Sequence, residues 1–478
     1  MTLVAAKTAS RYVDDEVVQR LLKAMDFIIF FAAAMFCAAS FAGHADAPNG
    51  TSIIAFFSLS LAFLCLLLLR DLGLYKARAL VSGGWTFLKS AAAVIIAGAA
   101  AYKLLDYFLI PLEPQSFPSW ALVVTAHLGL SRLAAQAWAR PIASHGRFRK
   151  RIAIVGGGRV ADDALHALKA SHDLEIDVIG LFDDRDEMRS APAIHGHRKM
   201  GTITDLATYA RNNRVDLIIV AIPLSAEARL LHILKRLWEL PVDIRISGKA
   251  SSLKFSSKAY TYIGRLPLLA VFDRPLMGWG LFLKTVFDRV IASAAIIVLA
   301  PVMLAVAAAI RLESKGPVLF KQKRYGFNNE LIEVFKFRSM YANRCDAHAA
   351  TLVSKGDPRV TRVGRLIRKT SLDELPQLFN VLTGQLSLVG PRPHATQAKA
   401  DDTLYEQVVD GYFARHRVRP GITGWAQISG WRGETDTREK IEQRVKYDLD
   451  YIDHWSLLFD VKILLRTPFA LLKSENAY

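Results

Sequence analysis

The chain has 478 residues, of which 52% are hydrophobic and 22% charged, with a mean hydropathy of +0.22. At roughly 150 residues per domain this length points to about three domains, and the composition excludes a disordered chain, a collagen-like chain, a wholly soluble enzyme and an all-membrane protein alike. Lys+Arg 61 against Asp+Glu 44 leaves a net charge of +17, which attracts phosphates, anionic lipid headgroups or nucleic acid.

Four apolar stretches fill the first 140 residues, at 24–43, 51–69, 84–105 and 119–139. Each approaches the roughly 20 residues that a helix needs to cross the hydrocarbon core, and His127 and Arg132 interrupt the fourth. Residues 44–50 and 106–118 contain no Lys or Arg. Arg70, Lys76 and Arg78 occupy the intervening loop, and Arg140, Arg147, Arg149, Lys150 and Arg151 follow the last stretch. That alternation predicts a four-helix transmembrane bundle over 1–145 whose N-terminus and whole remaining chain face the cytoplasm. Ala45-Asp46-Ala47 has the look of a signal-peptide cleavage site, but the leading segment mixes Asp14, Asp15 and Glu16 with its basic residues, unlike a signal peptide. Cys37 and Cys65 lie in apolar runs and Cys345 stands alone, so neither a disulfide framework nor a zinc site is expected.

From Arg151 the period changes. RIAIV runs into Gly156-Gly157-Gly158, a helical pattern follows, and DVIGLFDD, DLIIVAI and VDIRIS read as further strands. Strands alternating with helices predict a Rossmann-like α/β domain over 146–250, followed by a linker at 251–280. Gly156 and Gly158 fit a G-x-G-x-x-A turn that suits a phosphate, with Asp183 at the end of the second strand placed for a ribose. The same glycines equally serve a tight turn that binds nothing. No Y-x-x-x-K pair accompanies them.

Residues 290–310 carry no charge and are long enough to cross a membrane. Arg274, Lys284 and Arg289 precede them, however, and Arg311, Lys315, Lys321, Lys323 and Arg324 follow, so both ends ask for the cytoplasmic side. Pro301 sits mid-run, where it removes a helix hydrogen bond. A re-entrant helix over about 285–310, broken at Ala300-Pro301, meets both facts; a kinked fifth crossing is the alternative.

Further on, Arg359, Arg362, Arg365 and Arg368 recur every third residue and lead into Thr370-Ser371-Leu372-Asp373-Glu374-Leu375-Pro376. Ser371 and Glu374 match a capping box, or Asp373 itself caps with Pro376 in the first turn; both place the acids at a helix N-terminus, where a pure capping role is the plain alternative to chemistry. Adjacent acids on a helix project differently, so two separate jobs are expected of them. An ionised Asp373 can serve as a nucleophile toward phosphorus, and a magnesium ion held by Glu374 with nearby guanidinium groups would offset the repulsion between anions.

The F-K-F-R-S-M run at 335–340, the segment from Asp357 through SLDELPQLFNVL, SLVGPRP (387–393), GITGWAQISG (421–430), YDLDYI (447–452) and the terminal Asn476-Ala477-Tyr478 together resemble the bacterial polyprenyl-phosphate hexose-1-phosphate transferases. With the leading helices and the sheet domain, the chain is similar to the long-chain undecaprenyl-phosphate glucose phosphotransferases that start exopolysaccharide synthesis. The resemblance implies a mainly helical, membrane-associated catalytic domain over 281–478. It implies Asp373 as nucleophile of a phosphosugar-aspartyl intermediate, Glu374 as ligand of Mg2+, and Lys336, Arg338, Arg368 and Arg392 as phosphate-binding residues. A UDP-sugar, undecaprenyl phosphate and the bacterial membrane are the implied partners, and a homo-oligomer is compatible with the sequence. Nucleic acid is not expected, because the basic residues cluster near membrane segments.

Three rival readings stand beside it. A glycosyltransferase would use Asp448-x-Asp450 or Asp184-x-Asp186, a short motif that arises by chance. A membrane-anchored NAD-dependent sugar-nucleotide dehydratase would use the glycine turn. A non-enzymatic nucleotide-sensing scaffold would use only the basic surface.

Overall fold

The structure, a computed structural model, describes residues 15–40, 50–76, 79, 84–108, 115–144, 149–170, 176–185, 193–248, 260–263, 266–342, 357–394, 399–400, 403–409, 411–433 and 437–473. Cys345, the Ala45-Asp46-Ala47 triplet and the terminal Asn476-Ala477-Tyr478 lie outside them. The chain divides into two compact units, Met1–Arg149 and Lys150–Tyr478.

The first unit contains α1 (Asp15–Ser40), α2 (Gly50–Asp71), α3 (Gly84–Phe108) and α4 (Ser116–Ser144). Segments of α1, α2 and α3 are long and apolar enough to cross a membrane. α4 is longer but less apolar, because His127 and Arg132 lie within it. Both turn inward. Asp26 is fully buried, and its carboxylate takes Arg132 Nη2 at 2.7 Å, the Tyr75 hydroxyl at 2.8 Å and His127 Nε2 at 2.9 Å. Ionisable groups inside an apolar bundle are tolerated when they satisfy one another, so α4 keeps its polar residues by pairing them with α1. Phe30, Leu61, Leu69, Trp120 and Leu128 fill the interior around this cluster.

The second unit begins with β1 (Lys150–Val155), α5 (Arg159–Lys169), β2 (Ile176–Phe182), β3 (Ala193–Ile194), β4 (His197–Gly201), α6 (Ile203–Asn212), β5 (Leu217–Val220), α7 (Glu227–Leu237) and β6 (Asp243–Ser247). β1, β2, β4, β5 and β6 run parallel, as the alternation of strands and helices requires. The residues expected to form a linker instead contain β7 (Tyr260–Ile263) and β8 (Leu266–Phe272), which extend the sheet antiparallel beyond β6. The order is β3-β4-β2-β1-β5-β6-β8-β7. Apolar layers centred on Ile152, Ile154, Leu165 and Ile219 and on Val155, Leu206, Ile218 and Leu237 cover its two faces.

α8 (Gly278–Glu313) then runs for 36 residues. The break expected at Ala300-Pro301 is not an interruption: the helix continues through Pro301, consistent with the tolerance of apolar helices for proline where neighbouring turns adjust. Its inner side packs Ala292, Met303, Val306 and Ile310 against the rest of the unit, while Ile297 and Val298 stay 74% exposed. Near its start, Lys284 Nζ lies 2.7 Å from Asp460 and 3.5 Å from Asp288, both buried, and Asp288 takes the Ser387 hydroxyl at 2.7 Å. Near its end, the Glu313 carboxylate accepts the Arg362 and Val363 backbone N–H groups at 2.7 and 3.0 Å. Both ends of α8 are therefore tied into the same unit.

The antiparallel pair β9 (Leu319–Tyr325) and β10 (Leu331–Phe337) follows, then α9 (Arg362–Lys369), a 3-10 turn at Leu372–Glu374, α10 (Gln377–Thr383) and β11 (Ser387–Val389). β11 pairs in parallel with β12 (Gly421–Thr423), and α11 (Arg438–Asp453) and α12 (Leu457–Lys473) close the described chain. α12 is two-sided: Asp460 and Ile463 are fully buried, whereas Leu458, Leu465 and Phe469 are exposed.

Candidate active site

The arginine stripe is only partly a helical stripe. Arg359 precedes α9 and grips Asp357, with Nη2 at 2.6 Å from Oδ2. Arg362 and Arg365 are exposed, and Arg368 is half-buried at the end of the helix that leads to the acids. Thr361 caps α9 by accepting the Gly364 N–H at 2.9 Å.

The capping box expected of Ser371 and Glu374 does not form. Ser371 adopts a left-handed conformation, φ 58°, and its hydroxyl accepts Arg432 Nη2 at 2.8 Å. Pro376, not an acid, occupies the N-cap of α10. A left-handed residue costs conformational energy for any side chain with a Cβ, and here it turns the chain sharply enough to set Asp373 and Glu374 in a 3-10 turn facing β10. Asn380, fully buried, fixes that approach. Its Oδ1 accepts the Phe335 N–H at 2.9 Å and its Nδ2 donates to the Glu333 carbonyl at 2.7 Å, locking α10 to β10.

The two acids then differ in surroundings. Glu374 is clamped: Lys336 Nζ reaches Oε1 at 3.1 Å, Arg392 Nη1 reaches Oε2 at 3.1 Å, and Arg392 Nη2 also binds Oε1. These cations hold its carboxyl well below the usual range despite burial. Asp373 makes no side-chain hydrogen bond among the described residues. Burial pushes its carboxyl up to about 6 against the pull of Lys336, with Glu374 adding repulsion and Arg368 and Arg392 lowering it. Arg368 likewise makes no side-chain hydrogen bond among the described residues.

Arg392 owes its position to contacts behind it. The Pro391 carbonyl accepts the Gly421 N–H at 2.9 Å, the Arg392 carbonyl accepts Arg415 Nη2 at 2.6 Å, and the Pro393 carbonyl accepts Arg324 Nη1 at 2.9 Å. Burial, with Arg392 nearby, lowers the Arg324 guanidinium to about 10.

Arg338 is not part of this site. It is buried at 3% exposure and donates to the Ser314 carbonyl (2.8 Å), the Ser314 hydroxyl (2.9 Å) and the Lys315 carbonyl (3.0 Å), closing the turn after α8. Nor does Asp448-x-Asp450 form a metal site: Asp448 is buried 2.7 Å from Arg415, and Asp450 accepts the Trp425 indole N–H at 2.9 Å. Asp184 accepts the Ile203 N–H at 2.8 Å, and Asp186 lies outside the described residues.

In the sheet domain Gly156 has φ 117°, and a Cβ there would lie 2.7 Å from the Ala221 carbonyl oxygen, so packing alone demands glycine. Gly158 caps α5 without a side-chain bond. Asp183 does not stand open for a ribose: Arg185 donates to it at 2.8 and 3.0 Å and Arg229 at 2.6 Å.

Comparison with known proteins completes this picture. Residues 279–474 match the family model described as bacterial sugar transferase, and residues 70–248 match that of a CoA-binding domain. The UDP-glucose:undecaprenyl-phosphate glucose-1-phosphate transferase of Escherichia coli (strain K12) is 35% identical over 360 residues, covering 75% of this chain and 76% of the relative. The chain belongs to the bacterial undecaprenyl-phosphate glucose phosphotransferase family. The Klebsiella pneumoniae enzyme of the same name is 36% identical over 364 residues, covering 76% of this chain and 77% of that one. An undecaprenyl-phosphate glucose phosphotransferase of Komagataeibacter xylinus is 40% identical over 335 residues; these are 70% of this chain but only 61% of that relative's length.

Membership of this phosphotransferase family raises the question of a magnesium ion. Among the described residues no group of three His, Cys, Asp or Glu side chains forms a cage. The donor chemistry nevertheless fits magnesium, which typically takes one or two carboxylates and leaves its other positions to water and substrate phosphates. Glu374 would hold it only by giving up contacts with Lys336 and Arg392, whereas Asp373 beside it has no side-chain hydrogen bond among the described residues.

Proposed function

We propose that the chain transfers hexose-1-phosphate, with glucose as the hexose, from a UDP-sugar to undecaprenyl phosphate, releasing UMP and starting exopolysaccharide or capsule repeat units. The observation that carries this reading is the asymmetry of the two acids. Glu374 is neutralised on both oxygens by Lys336 and Arg392, whereas Asp373 keeps its carboxylate free of hydrogen bonds among the described residues. A free carboxylate ringed by cations suits nucleophilic attack on an anionic phosphorus.

In the first step an Asp373 carboxylate oxygen attacks the phosphorus that bears the sugar. The bond from that phosphorus to the bridging oxygen breaks, and UMP leaves with the electron pair. In the second step a phosphate oxygen of the polyprenyl acceptor attacks the same phosphorus, and the bond to Asp373 breaks. The products are a diphosphate-linked lipid sugar and the regenerated carboxylate. Lys336, Arg368 and Arg392 neutralise the phosphoryl oxygens as charge builds. A magnesium ion on Glu374 would add Lewis-acid polarisation of the diphosphate when bound.

The acceptor phosphate sits at headgroup depth, so the site must stand at the membrane surface. Exposed Ile297, Val298 and Leu304 on α8 and Leu458, Leu465 and Phe469 on α12 supply an apolar surface for lipid. Lys284 near one end of α8 and Glu313 near the other are both bonded within the same unit, so our reading of α8 as re-entrant, entering and leaving on one face, requires it to bend at Pro301 without leaving the helical conformation. The orientation set by the basic loops puts that face in the cytoplasm of a bacterial inner membrane, where UDP-sugars are available.

Identification of the released nucleotide tests the reading. Purified protein with UDP-glucose, undecaprenyl phosphate and magnesium is expected to yield UMP, and Asp373→Asn none. Release of UDP would place the cleavage at the glycosidic bond and overturn it.

A further inference from the structure

Behind the catalytic loop lies a buried polar cluster that phosphoryl transfer itself does not use. Arg415 stands at its centre with a relative exposure of 0%. It belongs to a 3-10 turn, Tyr412–Arg417, that starts from Gly411 in the left-handed conformation at φ 74°. One guanidinium group reaches three partners from there. Its Nη2 lies 2.7 Å from Asp448 on α11 and donates to the Arg392 carbonyl at 2.6 Å, and its Nη1 lies 2.7 Å from His394 Nδ1. His394 also has the Tyr412 hydroxyl at 2.7 Å and Arg444 Nη1 at 3.3 Å. Burial and the surrounding arginines hold this imidazole well below its ordinary range, so it meets them uncharged.

Burying cations against a single carboxylate is costly, and a neutral core would have been cheaper if packing were the only requirement. What the arrangement provides is a fixed backbone. At Arg392 the carbonyl is held from behind by Arg415 while the side chain of the same residue holds Glu374 in front. A planar guanidinium can bond a carbonyl and an imidazole while facing the Asp448 carboxylate as its ion-pair partner; a lysine ammonium on its flexible stem cannot match that geometry.

We infer that Arg415, seated by Asp448, is a positioning residue that fixes the backbone of Arg392 and thereby aims its guanidinium at the catalytic acids. This inference rests on the function proposed above for the same site. Misplacement of a substrate-holding group by about 1 Å costs on the order of 100-fold in rate, which sets the scale of the expected loss.

Arg415→Lys keeps the charge opposite Asp448 and so preserves the fold. It is expected to lower the rate of UMP release about 10- to 100-fold, chiefly through kcat, with a melting temperature within a few degrees of wild type. In an Arg392→Ala background the same substitution is expected to change the rate less than about threefold, because the residue through which it acts is gone. Equal losses in both backgrounds would show that Arg415 serves general packing and would overturn the inference, as would an unchanged rate in Arg415→Lys alone. Should wild type itself release no UMP, the proposed reaction falls while the positioning claim is still read from the Arg392 side chain. Its Nε–Hε resonance, assigned by its absence in Arg392→Lys, is expected to be protected from exchange in wild type and exchange-broadened in Arg415→Lys. Protection that survives the substitution would equally overturn the inference.

Discussion

Asp373 and Glu374 are neighbours in sequence with opposite electrostatics, and the cause is which one the cations reach. Lys336 and Arg392 converge on Glu374, leaving Asp373 to burial, which raises its carboxyl to about 6. As the proposed nucleophile, Asp373 must be ionised, so the rate of UMP release from UDP-glucose is expected to fall about tenfold per pH unit below about 6. Stability moves the other way. The folded-state value lies above the ordinary 3.8, so the native state binds this proton more tightly than the unfolded chain. The cost of the buried charge grows from about pH 4 to about 6 and stays constant above. Asp373→Asn is therefore expected to melt at a higher temperature than wild type at pH 7.5, with a smaller gap at pH 5. A wild type as stable as the variant at pH 7.5 would mean that Asp373 is not strained by its surroundings. Arg338 shows where residue-level reading stops. Strand alternation puts residues 336 and 338 on one face, but β10 ends at Phe337 and the chain turns Arg338 under the loop after α8.

At the scale of elements, α8 illustrates both the reach of sequence and its edge. Its basic flanks and apolar centre are legible, and so is the presence of Pro301. The absence of a break at that proline is not, because it depends on how neighbouring turns adjust. The polar residues inside the helix are legible only as oddities, since their partners lie about 100 to 176 positions away. Lys284 joins α8 to α12 through Asp460, and Asp288 joins α8 to β11 at Ser387, five residues before Arg392. Replacing the lysine leaves two buried carboxylates facing each other, a defect on the order of 3 kcal/mol. Lys284→Met is thus expected to lower the melting temperature of the protein in detergent clearly, whereas Lys89→Met, on α3, leaves it within a degree or two. The extra strands β7 and β8 escaped sequence reading for a related reason. Tyr260–Ile263 and Leu266–Phe272 are short, and an antiparallel edge on a parallel sheet breaks the alternation by which the other strands are recognised.

The whole molecule joins an apolar bundle, a mainly parallel sheet and the sugar-transferase region. The bundle and the sheet were readable because hydrophobic period and loop charge are local signals. Motifs single out Lys336, Arg368, Arg392 and the acid pair, of which the structure brings Lys336 and Arg392 onto Glu374, whereas Asn380, Arg432, Arg324 and Arg415 acquire meaning only once distant segments meet. The proposed covalent route is one in which donor and acceptor never need to be bound together. Incubating the protein with UDP-glucose and magnesium but no polyprenyl phosphate, then quenching and mapping peptides by mass spectrometry, examines that step alone. A hexose-phosphate adduct on the carboxylate of Asp373, with one UMP released per adduct, is the expected finding. No adduct on Asp373, together with UMP released only when the lipid acceptor is present, would mean direct transfer between the two substrates and would refute the aspartyl intermediate.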